Sequence, residues 1–160
     1  MKNFSRRNFL GNMGTMGAAA VVAPTLIASA SVTPQSEGGF KPLGRKVKVG
    51  IIGCGSVMNG NYAPHLGKCQ YAEIVSCCDI KPDRAEKAAK AFNIPHWYPH
   101  IDKMLAGAEF DLLANCTDMQ EHGHLNKIAI LAGKYVWSEK PMATTYKEGR
   151  ELYDLSISMG

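Results

Sequence analysis

From Val47 onward, two patterns of apolar positions alternate along the chain. Val47-Lys48-Val49-Gly50-Ile51-Ile52 is short, β-branched and mostly apolar, and runs straight into Gly53-Cys54-Gly55. That reads as a strand entering a glycine turn. Glu73-Ile74-Val75-Ser76-Cys77-Cys78 predicts a second strand, closed by Asp79. Pro82 then opens a helix from Asp83 to Phe92, with Ala85, Ala88, Ala89 and Phe92 at helical spacing. His96-Trp97-Tyr98 predicts a short third strand, and Ile101 to Ala106 a short helix. Phe110 to Cys116 reads as a fourth strand. Glu121 to Ala132 reads as a helix with Leu125, Ile128, Ala129 and Leu131 on its apolar face and Gly133 as its C-cap. Tyr135-Val136-Trp137-Ser138 predicts a fifth strand, and Thr145 to Ser158 a last helix. This alternation implies a parallel sheet covered on both faces, an α/β fold of the doubly wound Rossmann class over residues 46–160.

The stretch before this pattern is different in kind. Residues 1–30 hold Lys2, Arg6 and Arg7 but no Asp or Glu, then an apolar Gly/Ala-rich run from Phe9 to Ile27, then the small residues Ala28-Ser29-Ala30. Charged, apolar and small-residue regions in that order make a secretory signal. Ser5-Arg6-Arg7-Asn8-Phe9-Leu10 resembles the twin-arginine motif. The resemblance implies the Tat export machinery as a partner and the periplasm or cell exterior as destination. Gly11, Gly14 and Gly17 weaken a helix there and Pro24 interrupts it, which argues against a spanning anchor. Residues 31–45, rich in Gly, Pro and Ser, read as a linker.

Charge changes the picture only by pointing back to that segment. The formal net charge is +4, and without Lys2, Arg6 and Arg7 the rest carries 15 cations against 14 anions. Such a balance gives no case for nucleic acid as a partner. The cysteines, Cys54, Cys69, Cys77, Cys78 and Cys116, are odd in number and lack zinc spacing. Small buried hydrophobes, not a disulfide framework, is the favoured reading. His122 and His124, two apart on a helix, point in different directions, and His96 and His100 gather no third ligand, so no metal is expected.

The candidate chemistry begins at the glycine turn. Gly53 makes the turn and Gly55 lets backbone approach a pyrophosphate; with Ser56 and Val57 they form the candidate cofactor loop ahead of the following helix, whose N-terminus favours negative charge. Met58 holds the third glycine position, where glycine allows close helix–strand packing. With Asn59-Gly60-Asn61 behind it, the sequence predicts a turn first and a helix that starts late or sits further out. Asp79 stands about 20 residues on, at the place of a ribose-binding carboxylate. A carboxylate there accepts hydrogen bonds from ribose hydroxyls and repels a 2′-phosphate, which favours NAD over NADP as cofactor. The competing role for Asp79 is as an exposed cap for the helix that Pro82 opens.

Asn115-Cys116-Thr117-Asp118-Met119-Gln120-Glu121-His122, followed by Ser138-Glu139-Lys140-Pro141 at a strand end, resembles the Gfo/Idh/MocA oxidoreductase family. The resemblance runs from Val47 to the C-terminus, and the combination with the glycine turn is its specific part. Asp118-Met119 stands where the family commonly shows Pro-Asn. The resemblance implies Thr117 and His122 in the cofactor loop, and Lys140 as the catalytic residue beside the nicotinamide and the reacting carbon. It implies that Glu139 helps hold that lysine or the ribose, and that Pro141 fixes the turn through a cis bond. It further implies hydride transfer from a CH–OH group of a sugar or polyol. Some exported relatives are glycosidases that oxidise the sugar transiently on bound NAD. A second domain, with the substrate pocket and a homo-oligomer interface, is expected to be absent from this chain. Two other readings stay open: a non-catalytic nucleotide-binding module, and a Rossmann-like methyltransferase, which the Glu-Lys-Pro does not suit.

Overall fold

Arg45 ties the chain just ahead of the first strand to the sheet. Its guanidinium donates to both carboxylate oxygens of Asp111, at 2.6 and 2.8 Å. Asp111 also accepts the amide N–H of Lys48 at 2.8 Å and returns its own N–H to the Lys48 carbonyl. The structure, a computed structural model, describes residues 44–159. The export signal, and the linker but for its last two residues, lie outside the described residues. Arg45, read as the end of that linker, is locked to the sheet.

Among the described residues, five strands form one parallel sheet in the order β3-β2-β1-β4-β5. They are β1 (Val47–Ile52), β2 (Ala72–Cys78), β3 (His96–Tyr98), β4 (Leu112–Asn115) and β5 (Tyr135–Ser138). β4 is shorter than the sequence pattern suggests, because Phe110 packs into the core from the loop before the strand. Among the described residues, five α-helices connect or follow the strands: α1 (Ala63–Leu66), α2 (Pro82–Phe92), α3 (Ile101–Leu105), α4 (His122–Leu131) and α5 (Tyr146–Met159). On one face, Met58, Ala63, Ala85, Ala88 and Ala89 cover Val49, Ile51, Cys77 and Ala114. On the other, Met104, Leu125 and Ala129 cover Ile52, Cys78 and Leu113. Burying a side chain such as Ile51 or Leu113 contributes about 1.5–3 kcal/mol. The sheet is therefore held from both sides, as the alternating pattern requires.

The first helix departs from the expected turn. Helical geometry is already present at Val57 (φ −64°, ψ −48°), and Met58–Tyr62 forms a π-helical turn in which the Ala63 N–H reaches back to the Met58 carbonyl. Asn59 does not turn the chain. Its side-chain amide donates to the carbonyls of Cys54 (2.9 Å) and Gly55 (2.7 Å), which braces the glycine turn. The physical reason lies at Pro64, which lacks the N–H an α-turn would use and crowds the carbonyl four residues back. A widened π-turn accommodates it without breaking the helix. Met58, at the third glycine position, is fully buried in the core.

The other ends follow their local chemistry. α2 starts on Pro82 and stops at Asn93, which adopts the left-handed conformation (φ 54°). Gly133 takes φ 70° just after α4. The five cysteines are free, four of them buried. Burial pushes the thiols of Cys78 and Cys116 up to about 12. Among the described residues no helix is long and apolar enough to cross a membrane.

Candidate functional site

Parallel strands deliver their exits to one edge. Ile52 pairs with Cys78 on one side and Asn115 on the other, and Asn115 pairs with Ser138. The residues just past these four positions therefore lie in a row: Gly53 to Val57, Asp79, Thr117, and Glu139 with Lys140. With neighbouring strands about 4.8 Å apart, three gaps separate the Asp79 end from the Lys140 end, about 14 Å. Any ligand touching the whole row must be extended. β1 and β4 are adjacent but their crossovers go to opposite faces, the place where open α/β sheets take ligands.

At the glycine turn, the two glycines face different surroundings. Gly53 has φ +90°, and a Cβ there would lie 2.6 Å from the Cys116 carbonyl carbon and 2.7 Å from its oxygen. A Cβ at Gly55 would meet nothing within 4 Å. The turn thus packs on the β4 exit through Gly53 and is open to a ligand at Gly55. The open side sits at a helix start, whose first N–H groups lack intrahelical partners. Those residues fit the diphosphate of a dinucleotide.

Asp79 is buried, 6% exposed, and is not the exposed helix cap that was its competing role. One carboxylate oxygen accepts the Cys54 N–H at 2.9 Å, the other the Lys81 N–H at 2.8 Å. Each oxygen keeps a further lone pair for a hydroxyl donor. Asp79 thus ties the end of β2 to the glycine turn.

On the other half of the row, His122 is 1% exposed, with Nδ1 2.7 Å from the Pro141 carbonyl and Nε2 3.0 Å from the Thr117 carbonyl. It joins the loops after β4 and β5 and offers neither ring nitrogen to the open edge. Asn115, fully buried, accepts from the Thr117 N–H and hydroxyl and donates to Asn126, which donates to the Met142 carbonyl. The Lys140–Pro141 bond is cis.

Glu139 and Lys140 do not form the surface ion pair that their adjacency allows. The Glu139 carboxylate accepts the Tyr62 hydroxyl at 2.7 Å and the Lys140 backbone N–H at 3.3 Å. Those two bonds hold its carboxyl below the usual range, Tyr62 contributing most. Trp137 Nε1 in turn donates to the Tyr62 oxygen at 3.1 Å. Burial, then the bond to Glu139, pushes the Tyr62 hydroxyl up to about 12. The Lys140 side chain is exposed and makes no ion pair within 4.0 Å among the described residues.

Sequence reasoning missed Asn59, Tyr62, Asn115, Asn126 and Trp137. A buried-strand Asn next to Thr117 was the one visible signal for Asn115. Tyr62 and Glu139 meet across 77 residues of chain, and no local pattern marks that.

Comparison with known proteins identifies the family and the fold. The model of the Gfo/Idh/MocA oxidoreductase family, NAD-binding Rossmann fold, matches residues 47–160. A glycosyl hydrolase family 109 protein of Shewanella amazonensis is 29% identical over 96% of this chain and 37% of its own. The D-glucoside 3-dehydrogenase of Escherichia coli is 27% identical over 71% of this chain and 32% of its own. Among solved structures, the WlbA dehydrogenase of Bordetella pertussis, in complex with NADH and UDP-GlcNAcA, superposes with a TM-score of 0.68 at 29% identity. That match covers 72% of this chain and 36% of the other. The chain spans about a third of the length of the relatives it matches.

Proposed function

Because the chain belongs to the Gfo/Idh/MocA oxidoreductase family and carries its NAD-binding Rossmann domain, we propose that it is the cofactor-holding part of an exported oxidoreductase acting on a sugar or polyol. The observation that carries this is the row of strand exits, which gathers Gly53 to Val57, Asp79, Thr117 and Glu139-Lys140 along one edge. NAD, when bound, supplies the acceptor for the electron pair of a CH–OH group.

The chain's own residues bind and orient. The N–H groups from Gly55 to Val57 take the diphosphate. Asp79 accepts from ribose hydroxyls while holding the Cys54 amide in place. Thr117 and His122 shape the loop between the two halves of the row, His122 by bracing it from behind. The free amine of Lys140 donates to the substrate oxygen and stabilises the negative charge that develops there. Glu139, kept ionised, accepts a hydroxyl on that side of the row. Arg6 and Arg7 direct export through the twin-arginine route.

Nicotinamide fluorescence tests the binding step directly. Titration of the protein with NADH is expected to give a saturable signal, and none at millimolar NADH would overturn the reading.

A specific observation supports a second reading, transient oxidation by an NAD-dependent glycosidase. The similarity to glycosyl hydrolase family 109 proteins covers 96% of the chain, against 71% for the glucoside dehydrogenase. Net NADH release against hydrolysis of an aryl glycoside separates the two.

A further inference from the structure

We infer that Tyr62 is a positioning residue: by holding the Glu139 carboxylate, it keeps that carboxylate off the Lys140 amine and turned to accept a hydroxyl from a diol-bearing ligand. This rests on the cofactor site proposed above. The bond chain is directional. Trp137 Nε1 donates to the Tyr62 oxygen, so the tyrosine hydroxyl hydrogen is left for Glu139 Oε1. Glu139 Oε2 takes the Lys140 amide N–H, and the Glu139 N–H itself is fixed on the Asn115 carbonyl at 3.0 Å. Backbone and side chain of Glu139 are thus both held, and each carboxylate oxygen keeps a lone pair free.

The neighbouring amine is the group this arrangement acts on. Glu139 and Lys140 are adjacent in sequence, and a carboxylate that swung free would be drawn to the amine. The pull between unit charges at 4 Å is about 1 kcal/mol even in water. Yet no ion pair between them forms within 4.0 Å among the described residues. Tyr62 supplies the competing bond from the π-turn that follows the glycine turn. A charge-assisted hydrogen bond of this kind outweighs an exposed ion pair. Tyr62 therefore couples the helix of the glycine turn to the far end of the ligand row.

The test reads the amine, not activity. The full chain is treated with a limiting amount of acetic anhydride at fixed pH. Acetylation of Lys140 is then compared with that of Lys87 on α2 by peptide mass spectrometry. Tyr62→Phe should slow Lys140 acetylation about three-fold, as an ion pair of ordinary exposed strength does. Adding Glu139→Gln, which carries no charge, should restore it. An unchanged rate in folded Tyr62→Phe, or a slow rate that persists in the double variant, overturns the inference. If Tyr62→Phe does not fold, Glu139→Gln alone decides it: with the carboxylate already held off the amine, its loss should leave Lys140 acetylation at the wild-type rate, and a rise of about three-fold overturns the inference. NADH titration of the wild-type chain is a separate arm. Failure to bind there while the acetylation pattern holds sinks the cofactor reading and leaves the placement of Tyr62 standing.

Discussion

Single residues in the glycine turn separate stability from binding. Gly53 is needed twice over, for φ +90° and for the backbone of Cys116 against it. Gly53→Ala should cost about 1–3 kcal/mol in urea unfolding, the usual price of a strained backbone position. Gly55 has open space where a side chain would go. Gly55→Ala should leave the unfolding free energy within about 0.5 kcal/mol of wild type. It should nevertheless weaken NADH by roughly ten-fold, since the methyl group enters the space the diphosphate would take. Equal loss of stability in both variants would remove the distinction between a packed and an open glycine. Asp79 is decided by a ratio. Asp79→Ala disturbs the turn that its carboxylate braces, so weaker NADH binding alone says little. A fall in the preference for NADH over NADPH marks a carboxylate that meets the ribose. Unchanged affinities for both would take Asp79 out of the site.

At the scale of elements, legibility followed locality. β1, β2, β3 and β5, α2 and the C-cap at Gly133 were all readable, because strand alternation, Pro82 and a glycine after an apolar face are signals within a few residues. The first helix was not. Asn59-Gly60-Asn61 has turn composition, but Pro64 downstream and the brace from Asn59 back to Cys54 and Gly55 carried the chain into a π-turn. The start of the sheet was equally hidden, since Arg45 and Asp111 are 66 residues apart. Asp111 joins the beginnings of β1, β4 and β5, the last through its carbonyl and the Tyr135 N–H. The Arg45 guanidinium, aided by the Lys48 amide and opposed by burial, holds its carboxyl at about 2. In the unfolded chain the same group titrates near about 3.9. A depressed folded value means that this contribution to stability is complete above about pH 4 and is lost as pH falls through about 2. Asp111→Asn should therefore flatten the loss of stability in that acid window, read as urea midpoints at stepped pH. A slope identical to wild type would show that the ion pair does not hold the sheet's entry.

For the molecule as a whole, the question is whether one extended ligand bridges both ends of the strand row. The cofactor half of the reading was legible from Gly53-Cys54-Gly55 and Glu139-Lys140-Pro141 together. The link between them was not, because Tyr62, Asn115 and Asn126 meet their partners only through tertiary packing. A ligand that binds the native state alone raises stability by RT ln(1 + [L]/Kd), about 1.4 kcal/mol at ten times Kd. For a domain of this size that is a rise in melting temperature of about 4–6 °C. On the proposed reading, ADP would reach only the glycine turn and Asp79. ADP-ribose would add a second ribose toward Glu139, and NADH would add the ring beside Lys140. At equal concentration the melting temperature should rise in the order ADP, ADP-ribose, NADH. Tyr62→Phe should reduce the two larger shifts and leave that of ADP alone. Equal shifts for all three would mean that only the β1–β2 half takes the ligand, and that Glu139 and Lys140 stand outside it. Binding of ADP alone, with no gain from the second ribose, would favour the non-catalytic nucleotide-binding module over the oxidoreductase.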